Sequence, residues 1–130
     1  MIIVRPFADK DRPAIETLHA QMGLNYEQPD WGKMLVSAVV EADEKITMAA
    51  FLRMTAESYL LFDPESGRRR DKLGQLMILH RELLQPAMRR GIEDVHCWLP
   101  PQIEQNFGKL LMNSFGWKKP LWPCYSREIK

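Results

Sequence analysis

The feature that most constrains this chain is a short apolar run delivered into a basic, glycine-containing loop and then into a long helical pattern. Tyr59-Leu60-Leu61-Phe62-Asp63 reads as a strand, Pro64-Glu65-Ser66-Gly67-Arg68-Arg69-Arg70-Asp71-Lys72 as the loop, and residues 72–90 as a helix closed by Gly91. A strand feeding such a loop and a helix start forms an anion site, because the first helical N–H groups have no partner within the helix and the macrodipole places partial positive charge there. Arg68, Arg69 and Arg70 add full charges to that field. The same loop also reads as an ordinary solvated turn, since glycine and basic residues are common in surface connections. Both readings stand at this point.

Size and charge narrow the class. A chain of 130 residues predicts one domain with a single core, spanning 1–130. Its 45% hydrophobic and 27% charged residues fit a soluble globular protein rather than a disordered one. Lys plus Arg number 18 against 17 for Asp plus Glu, so the net charge of +1 lacks the basic excess of a general nucleic-acid binder. No apolar run approaches the ~20 residues of a membrane span. Met1-Ile2-Ile3-Val4-Arg5 lacks the basic start and long apolar segment of a secretory signal. Cys97 and Cys124 fit neither a metal cluster nor a disulfide scaffold. The expectation is a cytoplasmic protein with no metal, no nucleic-acid partner and no membrane partner.

The remaining elements follow from periodicity. Ile2-Ile3-Val4-Arg5 is a β-branched strand ended by Pro6. Asp9 or Asp11 caps the next helix, with Pro13 in its first turn, Ile15, Leu18 and Met22 at helical spacing, and Gly23 at its close. His19 lies beside that stripe as a boundary residue, with no second ligand four residues away. Residues 25–33 form a loop or short helix in which Tyr26 and Trp31 either face a ligand or pack over the core edge. Residues 35–42 and 46–54 are apolar strands joined by Asp43-Glu44-Lys45, an antiparallel hairpin. With 59–63 they make a meander.

In the long helix Leu73, Leu76, Met77, Leu83, Leu84, Ala87 and Met88 share a face, and Pro86 predicts a kink or a break. Residues 93–99 alternate as a strand before Pro100-Pro101, and 102–115 form a helix closed by Gly116. The tail should add one or two strands, held to edges or bends by Pro120 and Pro123.

This order of elements resembles the GNAT (GCN5-related N-acetyltransferase) superfamily over essentially the whole chain. Val4-Arg5-Pro6 with Asp9, Asp11, Ile15 and Leu18 resembles the family's opening strand and helix, and Phe62-Asp63-Pro64-Glu65 its "VDPE" strand end. Leu83-Leu84, Ala87, Arg89-Arg90-Gly91 and Val95 resemble its third helix and the strand after it. Leu110-Leu111 and Ser114-Phe115-Gly116-Trp117 are similar to its "LYxxxGF" helix end, and Tyr125, Arg127 and Ile129 to its closing strand. The resemblance implies an α/β (α+β) fold: a mixed, mostly antiparallel central sheet of six or seven strands, with about four helices on its two faces.

The resemblance also implies acetyl-CoA as co-substrate. Carried over by position, Leu61, Phe62 and Asp63 would meet the pantetheine arm. Gly67, Arg68, Arg69, Arg70, Lys72, Leu73 and Gly74 would serve the phosphates. The sequence departs from the family's phosphate loop at Asp71 and Leu76, and it carries Gln105 and Met112 at the positions of the family's helix-four asparagine and tyrosine. Methionine cannot donate a proton.

Acetyl transfer to an amine needs a base or water path for the amine, donors for the carbonyl oxygen and a proton for the thiolate. Glu57, Asp63, Glu93 and His96 are the base candidates, and Tyr125 and Tyr26 the acids; the shortlist is Glu57, His96 and Tyr125. Cys97 reads as a packing residue rather than an acyl carrier. Two functions remain open. One is an acyl-CoA-dependent N-acetyltransferase acting on a small-molecule or peptide amine. The other is a domain of that fold that has lost catalysis and serves binding or assembly. Trp117 and Trp122 cap a cleft or pack a homodimer interface.

Overall fold

The computed structural model describes residues 1–24 and 26–129, so Asn25 at the start of the predicted loop lies outside the described residues. Strands β1 (Ile2–Arg5), β2 (Val36–Ala42) and β3 (Lys45–Leu52) form one antiparallel sheet in the order β1-β2-β3. Short strands β4 (Ala56–Glu57) and β5 (Val95–His96) form a second, two-stranded sheet. Ala56 N–H donates to Asp94 O and Ser58 N–H to His96 O, stepping the same way along both strands, so this pair is parallel. Three α-helices complete the described residues: α1 (Arg12–Met22), α2 (Arg69–Arg89) and α3 (Pro101–Ser114). The chain divides into two compact units, Met1–Ala56 with Gly67–Asp94, and Glu57–Ser66 with Val95–Lys130.

The first unit is built where the sequence pattern is strongest. Val39 of the central strand is fully buried, and Ile15 of α1 is 4% exposed. Arg5 pairs with Val39 across β1 and β2, and Ser37 and Val39 pair with Phe51 and Ala49 across β2 and β3, so these residues share one sheet face. On that face Phe7 meets Phe51 edge-on, with ring centroids 5.6 Å apart, and Trp31 tilts over Phe51 at 4.6 Å. Trp31 therefore packs over the core edge, the second of the two roles its position allowed. The opposite face leaves Val4, Val36, Met48 and Leu52 exposed.

Polar contacts fix this frame. Arg5 donates through both guanidinium Nη atoms to the two Asp11 carboxylate oxygens, each at 2.7 Å, and through Nη2 to Glu41 Oε1 at 2.7 Å. Asp11 Oδ2 also accepts the Ala8 N–H at 2.8 Å. The Asp11 carboxylate is only 4% exposed, and the Arg5 guanidinium holds its pKa at about 2. The hairpin turn is Asp43-Glu44, both with left-handed backbone (φ 52° and 65°), which matches the strand twist of a two-residue connection. Thr47 is the extra residue of a bulge, since Val40 pairs with Met48 and Glu41 with Ile46.

The expected central sheet of six or seven strands does not form, and its parts fail for identifiable reasons. Residues 59–63 are not a strand. Continuing the β4–β5 register would set Pro100, which has no N–H, as the donor to Leu60 O. The strand expected over 93–99 contracts to Val95–His96. The expected meander through 59–63 is replaced by β1, which takes the other side of β2. The tail carries no strand among its described residues, where Pro120 and Pro123 remove ladder donors. The loop over 25–33 yields only a 3-10 turn, Trp31–Lys33, capped by Asp30 Oδ1 accepting the Gly32 N–H at 3.0 Å, so three α-helices stand where about four were expected. Pro86 does not end α2, which continues to Arg89 with the Arg90 N–H shared between Pro86 O and Ala87 O.

Two outcomes follow. Asp11 titrates near 2 when folded and near its ordinary 3.8 when unfolded, so its contribution is complete above pH 4 and is lost as pH falls toward 2. Asp11→Asn should lower urea stability at neutral pH by ~1–3 kcal/mol, with the gap to wild type closing as pH falls from 4 to 2; an equal gap at both extremes would contradict this account. Separately, Glu44→Gly should stabilise the hairpin by up to about 1 kcal/mol in thermal melts, since a left-handed L-residue costs ~1–2 kcal/mol and glycine returns part of that through the unfolded chain.

Candidate functional site

The predicted phosphate residues gather at the start of α2. Gly67 takes a left-handed turn (φ 71°), which an L-residue adopts only at a cost. The chain then enters the helix through Arg68, an extended N-cap residue, and the first helical bond runs from Lys72 N–H to Arg68 O at 3.0 Å. Arg68, Arg69 and Arg70 are all exposed, on the N-cap and first two positions of a 21-residue helix. The N–H groups of the first turn point out of the helix end beside these guanidinium groups. Asp71 opposes them: its Oδ2 accepts the Arg68 N–H at 3.4 Å, so one donor of this end is already engaged by an anion the chain supplies itself. Leu73 and Gly74 follow in the first turns, and a Cβ at Gly74 would meet nothing within 4 Å, so that glycine is not required by packing.

The other predicted residues belong to the second unit. Leu61 and Phe62 are exposed, at 94% and 63%, and lie outside any strand. Asp63 shapes the turn that follows: its Oδ1 accepts the Glu65 N–H at 2.9 Å and its backbone O accepts the Ser66 N–H at 3.3 Å. The residues expected to meet the arm and those expected to serve the phosphates thus fall in different units, Leu61, Phe62 and Asp63 in one and Gly67 to Gly74 in the other.

Glu57 is the most constrained of the catalytic candidates. Its Oε1 accepts the Trp98 indole N–H at 2.6 Å, and its Oε2 accepts the Tyr59 hydroxyl at 2.9 Å. Both oxygens are occupied, and the Tyr59 phenol is pushed above its ordinary pKa by the bond to that carboxylate. These two bonds fix the orientation of the carboxylate, while each oxygen keeps a second lone pair that can still accept a proton. Sequence reading missed Tyr59 and Trp98 as its partners. The signal was present in half: Glu57 and Tyr59 sit two apart on an extended segment and share a side, whereas Trp98 is 41 residues away.

His96 lies exposed on β5, where its backbone O serves the second sheet. Tyr125 is 96% exposed, and among the described residues no hydrogen bond joins it or His96 to Glu57. Met112, at the position of the family's tyrosine, is 43% exposed on α3.

Glu93 stands in the first unit within 3.9 Å of Arg53, an ion pair rather than a free base. Tyr26 sits with its ring 4.8 Å from His19, whose Nε2 is buried without a hydrogen-bond partner among the described residues. Cys97 is half-buried, and burial pushes its thiol up, away from the thiolate that acyl transfer would need. Among the described residues no three His, Cys, Asp or Glu side chains come close enough together to hold a metal ion, and no helix is long and apolar enough to cross a membrane.

No protein-family model, curated protein or solved structure matches this chain. Each unit is read from its own chemistry: a cationic helix start in the first, and a carboxylate–phenol–indole cluster in the second.

The two thiols give a direct check. Cys124 is exposed and Cys97 is half-buried with a raised pKa. Iodoacetamide at neutral pH should alkylate Cys124 first, and mass spectrometry of the native protein should find Cys97 modified at least about tenfold more slowly until denaturant is added. Equal rates would place Cys97 in an activated setting and return it to the list of nucleophiles.

Proposed function

We propose that this protein binds acetyl-CoA by its phosphates at the start of α2 and supports acetyl transfer to a small or peptide amine. The observation that carries the reading is the delivery of Arg68, Arg69 and Arg70 by the Gly67 turn onto the first turn of a long helix. Phosphate is the ligand class such an end favours, through unpaired N–H groups, the macrodipole and three guanidinium groups capable of paired hydrogen bonds. The resemblance of the sequence to GNAT proteins selects coenzyme A among phosphorylated ligands. In the reaction a neutral amine nitrogen attacks the thioester carbonyl. The C–N bond forms, the C–S bond breaks, and the proton lost by the nitrogen balances the thiolate released. Two free cysteines suit the reducing cytoplasm proposed as its location.

A second reading has its own support. Both oxygens of Glu57 are engaged by Tyr59 and Trp98, and a methionine stands where the family's proton donor would be. With Asp71 and Leu76 in the phosphate loop, these favour a binding or assembly module that has lost the chemistry.

Calorimetric titration with acetyl-CoA and with CoA separates the readings. Micromolar binding that disappears in an Arg68→Glu, Arg69→Glu, Arg70→Glu variant with unchanged circular dichroism supports the phosphate site. Thiol release from acetyl-CoA in the presence of an amine panel then supports transfer, and binding without release supports the module. Absence of binding at millimolar cofactor overturns the acetyl-CoA reading and makes the non-catalytic module the better account.

A further inference from the structure

We propose that a cleft at the far end of α2 is a second ligand site, one that takes a small organic carboxylate with an apolar body. The cleft holds about 290 Å³ and lies wholly within the first unit, between the entry to β2, the exit of β3 and the turn that closes α2. Twenty-one helical residues, ~30 Å at 1.5 Å each, separate it from Arg68, so it is not part of the phosphate site. It does not depend on the acetyl-CoA reading.

The walls are held by backbone geometry. Leu35 N–H donates to Leu52 O at 2.8 Å, extending the β2–β3 ladder to the cleft's edge. Gly91 is left-handed (φ 79°), and Ile92 N–H returns to Ala87 O at 3.1 Å, the cap that folds the chain back over the helix end. These bonds fix Arg90 and Ile92 relative to α2, and Lys33 and Met34 relative to the hairpin.

The charges then decide the ligand. Arg53 is already matched, by Glu93 at 3.9 Å and by Asp94. Asp30 is engaged by the Gly32 N–H at 3.0 Å and faces Arg12 at 3.9 Å. Lys33 and Arg90 line the same cleft and have no carboxylate within ion-pair distance among the described residues. With Lys33, Arg53 and Arg90 against Asp30 and Glu93, the lining carries one net positive charge, which suits a single anionic group. The apolar part of the lining is Met34, Leu35, Met54 and Ile92. Methionines adapt their shape to a flexible chain. A hollow lined by both apolar and charged groups orients an amphipathic molecule, head to the cations and body to the hydrocarbon.

The test uses hexanoate, with hexyl phosphate and hexanol as companions, in an amide NMR titration of the whole chain. Millimolar hexanoate is expected to move the amides of 33–35, 53–54 and 90–92 saturably and to leave those of 67–74 in place. Hexanol is expected to bind at least about tenfold more weakly, a difference of about 1.4 kcal/mol for the charged head. The double variant Lys33→Gln, Arg90→Gln should lose that advantage while its thermal melt is unchanged, because the Arg90 cap is made by its backbone N–H. Hexyl phosphate binding as well as hexanoate would keep the anion site and widen its ligand class to phosphate esters. No saturable shift, hexanol binding as tightly as hexanoate, or an unaltered affinity in the double variant would each overturn the proposal.

Discussion

The structure of the first unit depends on the Arg5–Asp11–Glu41 contact. β1 is four residues long and would be a marginal edge strand alone, and among the described residues of this unit the buried apolar side chains are Ile15 and Val39. The guanidinium joins three pieces at once: the strand that carries it, the 3-10 turn that starts α1, and the central strand. Because Asp11 is buried, its charge is tolerable only while Arg5 and the Ala8 N–H remain in place. Losing Arg5 leaves the buried Asp11 charge unpaired, so the contact acts as a requirement on chain geometry as well as a source of stability. It sets the height at which α1 begins over the sheet, and with it the packing of Phe7, Phe51 and Trp31.

Much of this unit was legible in the sequence, because its information is local. The β-branched run Ile2 to Val4, the Pro13 and Gly23 ends of α1, and the turn between two apolar strands each need only a few neighbouring residues to be specified. Asp11 was legible as a helix-start residue, but its role was not: the sequence suggests a carboxylate capping a helix, and the structure uses it to bind Arg5. Partner-dependent elements read poorly. Residues 59–63 have strand composition and no strand, because a strand exists only if its neighbour can donate, and Pro100 cannot. A period-2 pattern shows which face is apolar and nothing about what lies opposite.

The same division runs through the candidate site. The helix start was legible because glycine, basic residues and helical period lie within a dozen positions. The state of Glu57 was not, since it is fixed by Trp98, 41 residues away, and a carboxylate near a strand end looks the same in sequence whether free or doubly bonded. Exposure decides in the same way between two equal cysteines, one shielded and one open.

The two ends of α2 obey opposite electrostatic rules. At its C-terminal end Arg89 and Arg90 sit where the macrodipole is negative, which stabilises the helix. At its N-terminal end Arg68, Arg69 and Arg70 sit where the dipole is positive, each opposing helix formation by ~0.3–1 kcal/mol, and Asp71 alone offsets them. A solvated turn gains nothing from that arrangement, and glutamate or serine in place of arginine would make a better helix start. Local rules are most often broken where a site needs the breach, with the missing charge brought by a ligand. An anion bound at this end would convert three unfavourable contacts into three favourable ones, so folding of the first turn and ligand binding would be coupled in sign. That coupling weighs against the plain-loop reading of 67–72 more heavily than the motif resemblance does, because it follows from the position of the charges and not from their likeness to another chain.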